Sequence, residues 1–327
     1  MKIKREIIGK IDGDYSLWIR QVYEKFGMEK AEYSFKQSES DFSDNLKRKK
    51  SSDNGKTWGN WQDLDKERFM TKGKAEKLKT SARTFFDYKN ERIIKILMER
   101  IFPQGHHKDY ENYSKKGVIT WSDHVFLDIS SDNGKTWEHQ LVKFEDGPDM
   151  EPENWLSEAY LKTNHLYFGN RVEIEENGDI IFAVSVGAPA LCNVFACELG
   201  TTSLGAALVF KGKWNEKTGR YDLTMSQPLF IDGAKSSRGL MEPNVLKLKS
   251  GKYLFECRGS NAKSAQKNAL TTPDTPGYRW MALSNDGINW SEIKPMTYDT
   301  GEKFFSPSSI SHIFVAQRME KLIGLVI

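Results

Sequence analysis

The octapeptide Ser-Ser-Asp-Asn-Gly-Lys-Thr-Trp occurs twice without a change, at residues 51–58 and 130–137, and a shorter form, Ser-Asn-Asp-Gly-Ile-Asn-Trp, occupies residues 284–290. Asp and Asn side chains accept hydrogen bonds from backbone amides a little further along the chain, and Gly supplies a positive φ. The Thr-Trp pair then begins a strand whose indole packs inward. Each copy therefore predicts a strand, a tight turn and a second strand.

The spacing of these turns predicts a repeated unit of about 77 to 79 residues. The central aspartates are Asp53, Asp132 and Asp286, so the first two are 79 residues apart and the last two are 154 apart, which is twice 77. A further copy is expected between the second and third turns, where strand-like residues 207–214 and 220–224 flank turn residues 215–219. This segment predicts a hairpin with a different turn.

Apolar runs broken by turn residues recur along the chain, whereas helical periodicity is scarce. Hairpins are expected at residues 171–186, around an Asn-Gly turn, and at residues 244–257, around a Ser-Gly turn. Residues 90–102 fit a buried strand about as well as a short helix. Hairpin repeats that carry a Trp-bearing turn are what a β-propeller requires, with one four-stranded blade per repeat.

At these turns the sequence resembles the sialidase (neuraminidase) superfamily, whose Asp-box or BNR repeats carry the pattern S-x-D-x-G-x-T-W. The matching residues are Ser51, Asp53, Gly55, Thr57 and Trp58 in the first copy, Ser130, Asp132, Gly134, Thr136 and Trp137 in the second, and Ser284, Asp286 and Trp290 in the third. The resemblance implies an all-β, sialidase-like six-bladed β-propeller, with the Asp-boxes at its periphery. An EF-hand interpretation of the first turn lacks the required oxygen ligands, so no metal site is expected.

A second match to sialidases is Glu242-Pro-Asn-Val-Leu-Lys-Leu-Lys-Ser-Gly-Lys-Tyr-Leu-Phe-Glu-Cys-Arg258. The resemblance implies that Glu242 assists a catalytic tyrosine as base and that Arg258 binds the substrate carboxylate. Because the two residues begin and end a hairpin, both should emerge at the edge of a blade that faces the central mouth. A guanidinium there can bind a carboxylate through two hydrogen bonds. The alternative is a structural salt bridge between Glu242 and Arg258.

The resemblance also implies an arginine on the first strand and an acid/base aspartate before the first Asp-box. Arg20 is the candidate arginine, and Asp41 and Asp44 are the candidates for the aspartate, with ordinary loop acids as the alternative. Arg238 is a secondary candidate for substrate contact because it lies four residues before Glu242. The tyrosine nucleophile and a third arginine are expected beyond residue 327.

The length predicts one domain over residues 1–327 that is C-terminally incomplete, because about 77 residues per repeat leave room for little more than four blades. After Phe314, residues 315–327 show neither alternation nor a turn. With free choice of synonymous codons, a frame displaced by two bases encodes Arg-Ser-Ser-Glu-Asn-Gly-Lys-Thr-Tyr-Trp-Val-Gly-Asn here, which reads as a turn and a strand. We hypothesise a frameshift or premature stop near residue 314, which the genomic sequence would test.

Composition argues against several classes of protein. Lys plus Arg total 48 against 45 Asp plus Glu, so the net charge of +3 predicts no nucleic-acid partner, and the basic run at residues 47–50 is expected to be a solvated strand edge. The three cysteines, Cys192, Cys197 and Cys257, have no metal or disulfide spacing, which favours buried thiols in a reducing compartment. Charged residues interrupt the N-terminus before any apolar core of signal-peptide length, and no apolar run is long enough to span a membrane, so we expect a cytoplasmic protein; secretion stays open if the N-terminus is incomplete.

Other constellations favour ordinary structure. His106 and His107 are expected in a surface loop, not a metal site. Trp155, beside Glu151 and Glu153, either rims a sugar site or packs in a core.

The preferred function is a glycoside hydrolase of the exo-sialidase type, or a close relative that cleaves an acidic sugar from a glycan. No cofactor is expected, the partner is a glycan or acidic sugar, and the incomplete form could be inactive. Two alternatives stay open: a non-catalytic carbohydrate-binding propeller, and a lyase on uronic-acid glycans, which would need a Tyr or His base and an arginine that neutralises a carboxylate. The oligomeric state is not predicted.

Overall fold

The computed structural model describes residues 16–39, 42–80, 82–105, 121–147, 150–195, 205–232, 235–236, 239–259, 277–305, 311–316 and 321–326. This part of the chain is almost entirely β-structure, which confirms the all-β prediction. Its helices are α1 (Asp65–Arg68), a 3₁₀ turn (Pro152–Asn154), α2 (Glu158–Lys162) and α3 (Ala188–Phe195). Among the described residues, no helix has the length and apolar character needed to span a membrane.

The strands form successive antiparallel sheets that follow chain order. They are β1 (Ser16–Tyr23), β2 (Lys30–Glu39), β3 (Phe42–Ser51), β4 (Gln62–Asp63), β5 (Phe69–Lys72), β6 (Ala75–Lys79), β7 (Arg83–Asp87), β8 (Arg92–Phe102), β9 (Ser122–Ser130), β10 (Glu138–Leu141), β11 (Leu166–Ile174), β12 (Ile180–Gly187), β13 (Gly205–Asn215), β14 (Arg220–Met225), β15 (Met241–Lys247), β16 (Tyr253–Arg258), β17 (Arg279–Ser284), β18 (Lys294–Pro295), β19 (Ser311–Ala316) and β20 (Lys321–Val326).

Four of these sheets are the blades of a β-propeller, and we number them in chain order. Blade 1 contains β1 to β4, blade 3 contains β11 to β14, and blade 4 contains β15 to β18. Blade 2 contains β7 to β10 and extends through β6 and β5, because β8 is long enough to pair with both β7 and β6. The prediction of six blades in a closed ring stays a prediction.

The predicted turns connect the third and fourth strands of blades 1, 2 and 4, between β3 and β4, β9 and β10, and β17 and β18. In the first turn, Asp53 Oδ1 accepts hydrogen bonds from the amides of Lys56 (3.0 Å) and Thr57 (2.9 Å), and Oδ2 accepts one from Thr57 Oγ1 at 2.7 Å. Asn54 and Gly55 have φ values of +61° and +87°. The second turn repeats these contacts around Asp132.

The predicted hairpins are confirmed. Strands β13 and β14 of blade 3 pair around a different turn, β11 pairs with β12, and β15 pairs with β16. The ambiguous residues 90–102 contain strand β8 and no helix. All but two of the residues of β8 are buried, and Ile94 and Ile96 lie in the apolar cluster that blade 2 shares with blade 3.

Two predictions need correction. The basic run at residues 47–50 is not a strand edge, since β4 pairs with Lys47 and Arg48, and Lys49 Nζ lies 2.7 Å from Glu32 in β2. After Phe314 no regular pairing was expected, yet β19 and β20 form an antiparallel hairpin. Its β-branched and aliphatic residues favour strand pairing without strict alternation. The frame hypothesis stays a prediction.

The blades pack through two apolar seams and one polar seam. Ile96 and Leu127 of blade 2 share a buried cluster with Phe182 and Phe210 of blade 3, and a second cluster joins blades 3 and 4. Between blades 1 and 2, by contrast, polar and charged side chains surround a cavity of about 200 Å³. Its lining includes Glu24, Tyr33, Arg68, Lys79 and Lys95. Phe26 in the β1–β2 turn also packs against Phe86 and Tyr88 of blade 2, so this seam combines a largely polar cavity with a small aromatic contact.

Candidate active site

The first strands of successive sheets lie against one another, as expected for strands around a propeller axis. Strand β11 contacts both β7 and β15, and β15 contacts β19. Strand β1 is tied to the start of β7, because Arg20 Nη2 donates a hydrogen bond to the carbonyl of Ala82 at 2.9 Å. We call the end of these strands that carries Arg20, Arg83, Tyr167 and Glu242, together with Arg258 from β16, the mouth.

Glu242 and Arg258 meet at the mouth, as the hairpin prediction requires. Met241 is opposite Arg258 in the β15–β16 register, and an irregularity follows it. Arg258 Nη1 donates a hydrogen bond of 3.1 Å to Glu242 Oε1, and the two side chains are only 14% and 16% exposed. The salt bridge that formed the structural alternative is therefore present.

Glu242 has two properties that a salt bridge alone does not explain. Its φ is +52°, in the left-handed region that non-glycine residues rarely adopt, and Pro243 follows it. Its amide donates a hydrogen bond of 3.2 Å to Ser185 Oγ in blade 3. Carboxylate oxygen Oε2 is buried and has no hydrogen-bond partner among the described residues. A strained residue with an unsatisfied buried acceptor is typical of a functional position.

Two arginines from blades 1 and 2 lie beside this pair. Arg20 extends from β1 over the ring of Tyr33, 5.5 Å from its centroid. Arg83 opens β7, and its guanidinium carbon is 5.4 Å from the ring centroid of Phe168 in blade 3. Burial lowers the pKa of both guanidinium groups, and Arg20 lowers that of Arg83 further, to about 10. Both arginines remain cationic at neutral pH.

Tyr167 adds an aromatic hydroxyl to the mouth. Its ring stacks on that of Phe168 with 5.6 Å between centroids, and the side chain is 42% exposed. Tyr167 and Glu242 both interact electrostatically with Arg83 and raise its pKa, which offsets part of the burial effect. Tyr167 is also opposite Ser185 in the β11–β12 register. The mouth thus joins three guanidinium groups, one carboxylate and one phenol.

The mouth can bind an anion and accept a proton. The guanidinium groups of the mouth attract anions, and partial burial strengthens their attraction for a carboxylate, while Glu242 and Glu24 act on them as acidic neighbours. Arg258 donates a hydrogen bond to Oε1 of Glu242 and so orients the carboxylate. The other oxygen, Oε2, is then the atom that can accept a proton. Among the described residues, no group of three potential metal ligands occurs.

Of the other predicted site residues, the structure describes Asp44 but not Asp41 or Arg238. Asp41 and Arg238 lie outside the described residues. Asp44 lies in β3, opposite Lys36, so it is a strand residue, not a loop acid, because the β2–β3 pairing extends past it. It is at the same end of blade 1 as the start of β1. Its catalytic role stays a prediction.

Several minor predictions are resolved by packing. Trp155 is a core residue, packed with Ala75, Ile101 and Tyr160, and does not rim the mouth. Cys257 is a buried free thiol, as expected. His106, His107 and Cys197 lie outside the described residues, and the side chain of Cys192 is not described.

Sequence reasoning missed Arg83, Tyr167 and Ser185. The repeat contains a signal that points to Arg83, since it precedes Asp132 by 49 residues and Glu242 precedes Asp286 by 44. Arg83 is the first residue, and Glu242 the second, of the first strand of a blade whose turn comes later in the same repeat. Ser185 has no sequence signal, because its role depends on contact between blades.

Comparisons with known proteins address the fold. No family model and no curated protein matches the chain. Among solved structures, a Hadza microbial sialidase has a TM-score of 0.52 at 14% identity, with 94% of this chain and 52% of that chain covered. A GH93 α-L-arabinofuranosidase of Fusarium graminearum has a TM-score of 0.42 at 14% identity, covering 92% and 72% of the two chains. A PL25 ulvan lyase has a TM-score of 0.45 at 11% identity, covering 90% and 57%.

The chain spans about half the length of the sialidase that it matches. At this level of identity the similarity supports the β-propeller fold and no particular substrate.

Proposed function

We propose that the protein is a glycoside hydrolase of the exo-sialidase type, or a close relative that removes an acidic sugar from a glycan. The observation that carries the proposal is the state of Glu242. This residue is strained, largely buried and bound to Arg258 through one oxygen, while the other oxygen has no partner among the described residues. Strain of this kind costs about 1–3 kcal/mol and persists where the surrounding structure imposes it, often for function.

The proposed chemistry assigns separate roles to the cationic and acidic groups. An arginine of the mouth binds the sugar carboxylate, for which a planar guanidinium can supply two parallel hydrogen bonds. Glu242 acts as the base that takes the proton of a nucleophile, a role that a carboxylate performs when it lies within hydrogen-bond reach. A tyrosine suits as nucleophile, because a neutral phenol approaches an anionic sugar without charge repulsion. Asp44 and Asp41 stay candidates for the acid that protonates the leaving group.

One observation favours a second candidate, a lyase on uronic-acid glycans. Tyr167 is a half-exposed phenol that interacts with Arg83. A tyrosine base beside an arginine that neutralises the uronate is the pairing that proton abstraction next to a carboxylate requires. In that reaction Tyr167, as its phenolate, removes the proton next to the uronate carboxylate. The electron pair forms a carbon–carbon double bond as the glycosidic carbon–oxygen bond on the adjacent carbon breaks, the leaving oxygen takes up a proton, and no water enters the product.

Activity on matched substrates tests the proposal. Wild-type protein is incubated with fluorogenic glycosides of N-acetylneuraminic, glucuronic and galacturonic acid, and with uronate polymers whose cleavage by a lyase produces ultraviolet absorbance. We expect aglycone release from an acidic glycoside, reduced by on the order of a hundredfold or more in Glu242→Gln. The control variants are Glu138→Gln and Arg220→Ala, which alter an exposed ion pair away from the mouth and should leave the rate unchanged.

The outcomes separate the candidates. Full activity of Glu242→Gln and Arg258→Ala would refute the site, and unsaturated product that depends on Tyr167 would establish the lyase instead. Binding of acidic sugars without turnover would favour the non-catalytic propeller.

A further inference from the structure

Residues 150–165, which we call the strap, lie between the last strand of blade 2 and the first strand of blade 3 along the chain. They include the 3₁₀ turn and α2, and the side chains of Trp155 and Tyr160 pack in an apolar cluster with residues of β6 and β8. Strand β11 begins directly after the strap, at Leu166, and its second residue is Tyr167 of the mouth. The position of the strap therefore affects the position of Tyr167.

A buried histidine lies against the strap. His124 of β9 is 1% exposed, and its ring centroid is 4.2 Å from that of Tyr160 in α2. Its Nε2 atom shares a hydrogen bond with Ser122 Oγ. Its Nδ1 atom and the hydroxyl of Tyr160 are both buried and have no hydrogen-bond partner among the described residues. The contact between strap and blade 2 thus encloses a titratable ring with a single polar partner.

Positive groups surround this ring more closely than negative ones do. Lys77 of β6 and His165 of the strap both disfavour a positive charge on His124, and the His165 ring lies edge-on with 5.7 Å between centroids. Glu99 of β8 is opposite His124 in the strand register, but its carboxylate is bound to Lys77 at 2.9 Å and lies 3.8 Å from His139 of β10. Glu99 is therefore already engaged with other cations.

Two further charged groups belong to these surroundings. Lys79 Nζ lies 3.9 Å from Glu99 Oε1, and Glu153 of the 3₁₀ turn acts on the hydroxyl of Tyr160. Among the described residues, neither Glu99 nor Glu153 forms an ion pair with His124. A proton on His124 would therefore place an uncompensated charge beneath the strap.

The cost of this charge depends on whether the strap is closed. Burial, followed by His165 and Lys77, lowers the pKa of His124 to about 3. A histidine in water takes up its proton at about pH 6.5. Because the pKa is lower in the closed state, closure is fully favoured above about pH 6.5 and loses this advantage as the pH falls toward 3.

We propose that His124 is an acid-sensitive latch: a proton taken up from solvent by its imidazole opens the strap and releases the start of β11, which holds Tyr167 at the mouth. The mouth is then complete at neutral pH and loses its β11 side in acid. The proposal does not rest on the proposed function, because the strap and its contact with blade 2 are present whether or not a sugar binds.

Amide hydrogen exchange of the full chain tests the latch. Protection of the strap and of residues 166–168 is measured by mass spectrometry and corrected for the intrinsic pH dependence of exchange. In the wild type we expect opening of both segments to increase by on the order of a hundredfold between about pH 6 and pH 4. In His124→Gln, whose side chain does not titrate, this increase should disappear. The matched controls His139→Gln and His165→Gln should retain it.

A second measurement covers the case in which His124→Gln does not fold. The ring resonances of the six histidines are followed by NMR in the folded wild type and assigned by replacing the other five one at a time. We expect the His124 resonance to stay at its neutral position from pH 7 down to pH 5. Titration of this resonance at about pH 6.5 in the folded protein would overturn the latch.

The exchange experiment can overturn it in two further ways. Equal pH dependence of strap opening in the wild type and in folded His124→Gln would show that other groups drive the opening. Loss of the pH dependence in His165→Gln, with retention in His124→Gln, would assign the effect to the histidine of the strap instead.

Discussion

At the scale of single residues, the acidic side chains of the turns and of the mouth have different surroundings. The aspartates of the first two turns are partly exposed and accept several hydrogen bonds each, whereas Glu242 is largely buried and strained, and one of its carboxylate oxygens has no hydrogen-bond partner among the described residues. The surroundings of the turn aspartates were readable from sequence, because the turn chemistry is local. The positive φ of Glu242 was not, and this residue also contacts Ser185 of another blade, which local sequence does not reveal.

Replacing Asp53 by Asn tests the turn chemistry. Hydrogen bonds from Thr57, Ser51 and Lys56 lower the pKa of Asp53 to about 2. A lowered pKa means that the carboxylate stabilises the fold above its unfolded pKa, near 4, and that this stabilisation is lost as the pH falls toward 2. Asn cannot accept all of these hydrogen bonds.

We therefore expect Asp53→Asn to melt below the wild type at pH 7, and the difference to shrink between about pH 4 and pH 2. Thermal melts across this range measure the difference. The control is Asp299→Asn, in an exposed turn, which should change little. A difference that is constant with pH would show that the carboxylate charge contributes nothing to the turn.

At the scale of elements, the approach of β11 to β15 positions the mouth. Gly169 in β11 lies so close that a Cβ atom there would be 2.3 Å from the carbonyl oxygen of Pro243 and 2.4 Å from that of Ala183. This contact brings Tyr167 of β11 and Glu242 of β15 to the same place. The hairpins themselves were predictable from apolar runs and turns. The close approach of β11 to β15 was not, because a glycine within a strand does not identify the backbone that packs against it.

Substituting Gly169 by Ala should destabilise the protein by about 1–3 kcal/mol, because both contacts are with rigid backbone. The same change at Gly187, at the end of β12, meets nothing within 4 Å and serves as the matched control. Urea unfolding of both variants measures the free energy of unfolding. Equal stability of the two would contradict the packing of β11 against β15.

At the scale of the whole molecule, the seams between blades are unequal. The repeated turn made the propeller predictable, because it recurs at a fixed spacing and each copy marks one blade. The character of each seam was not predictable, since it depends on which faces of two distant strands meet. Blade 1 contributes Glu24 and Tyr33 to a polar seam, whereas blades 2, 3 and 4 share apolar cores.

This difference predicts unequal local stability. Amide hydrogen exchange should be faster in β2 and β3 of blade 1 than in β12 and β13 of blade 3. Residues 181–184 of β12 and 206–209 of β13 are fully buried. Mass-spectrometric exchange on the full chain at neutral pH measures both. Equal protection of the two blades would mean that the polar seam holds blade 1 as firmly as an apolar core does.

The central claim is that the mouth binds an acidic sugar. The most direct measurement is amide hydrogen exchange of the full chain, compared with and without a saturating acidic sugar. The sugars tested are N-acetylneuraminic, glucuronic and galacturonic acids. The account predicts added protection at β1, at the starts of β7, β11 and β15, and at the end of β16, where Arg20, Arg83, Tyr167, Glu242 and Arg258 lie. Protection confined to the octapeptide turns, or no change with any of the three acids, would contradict it.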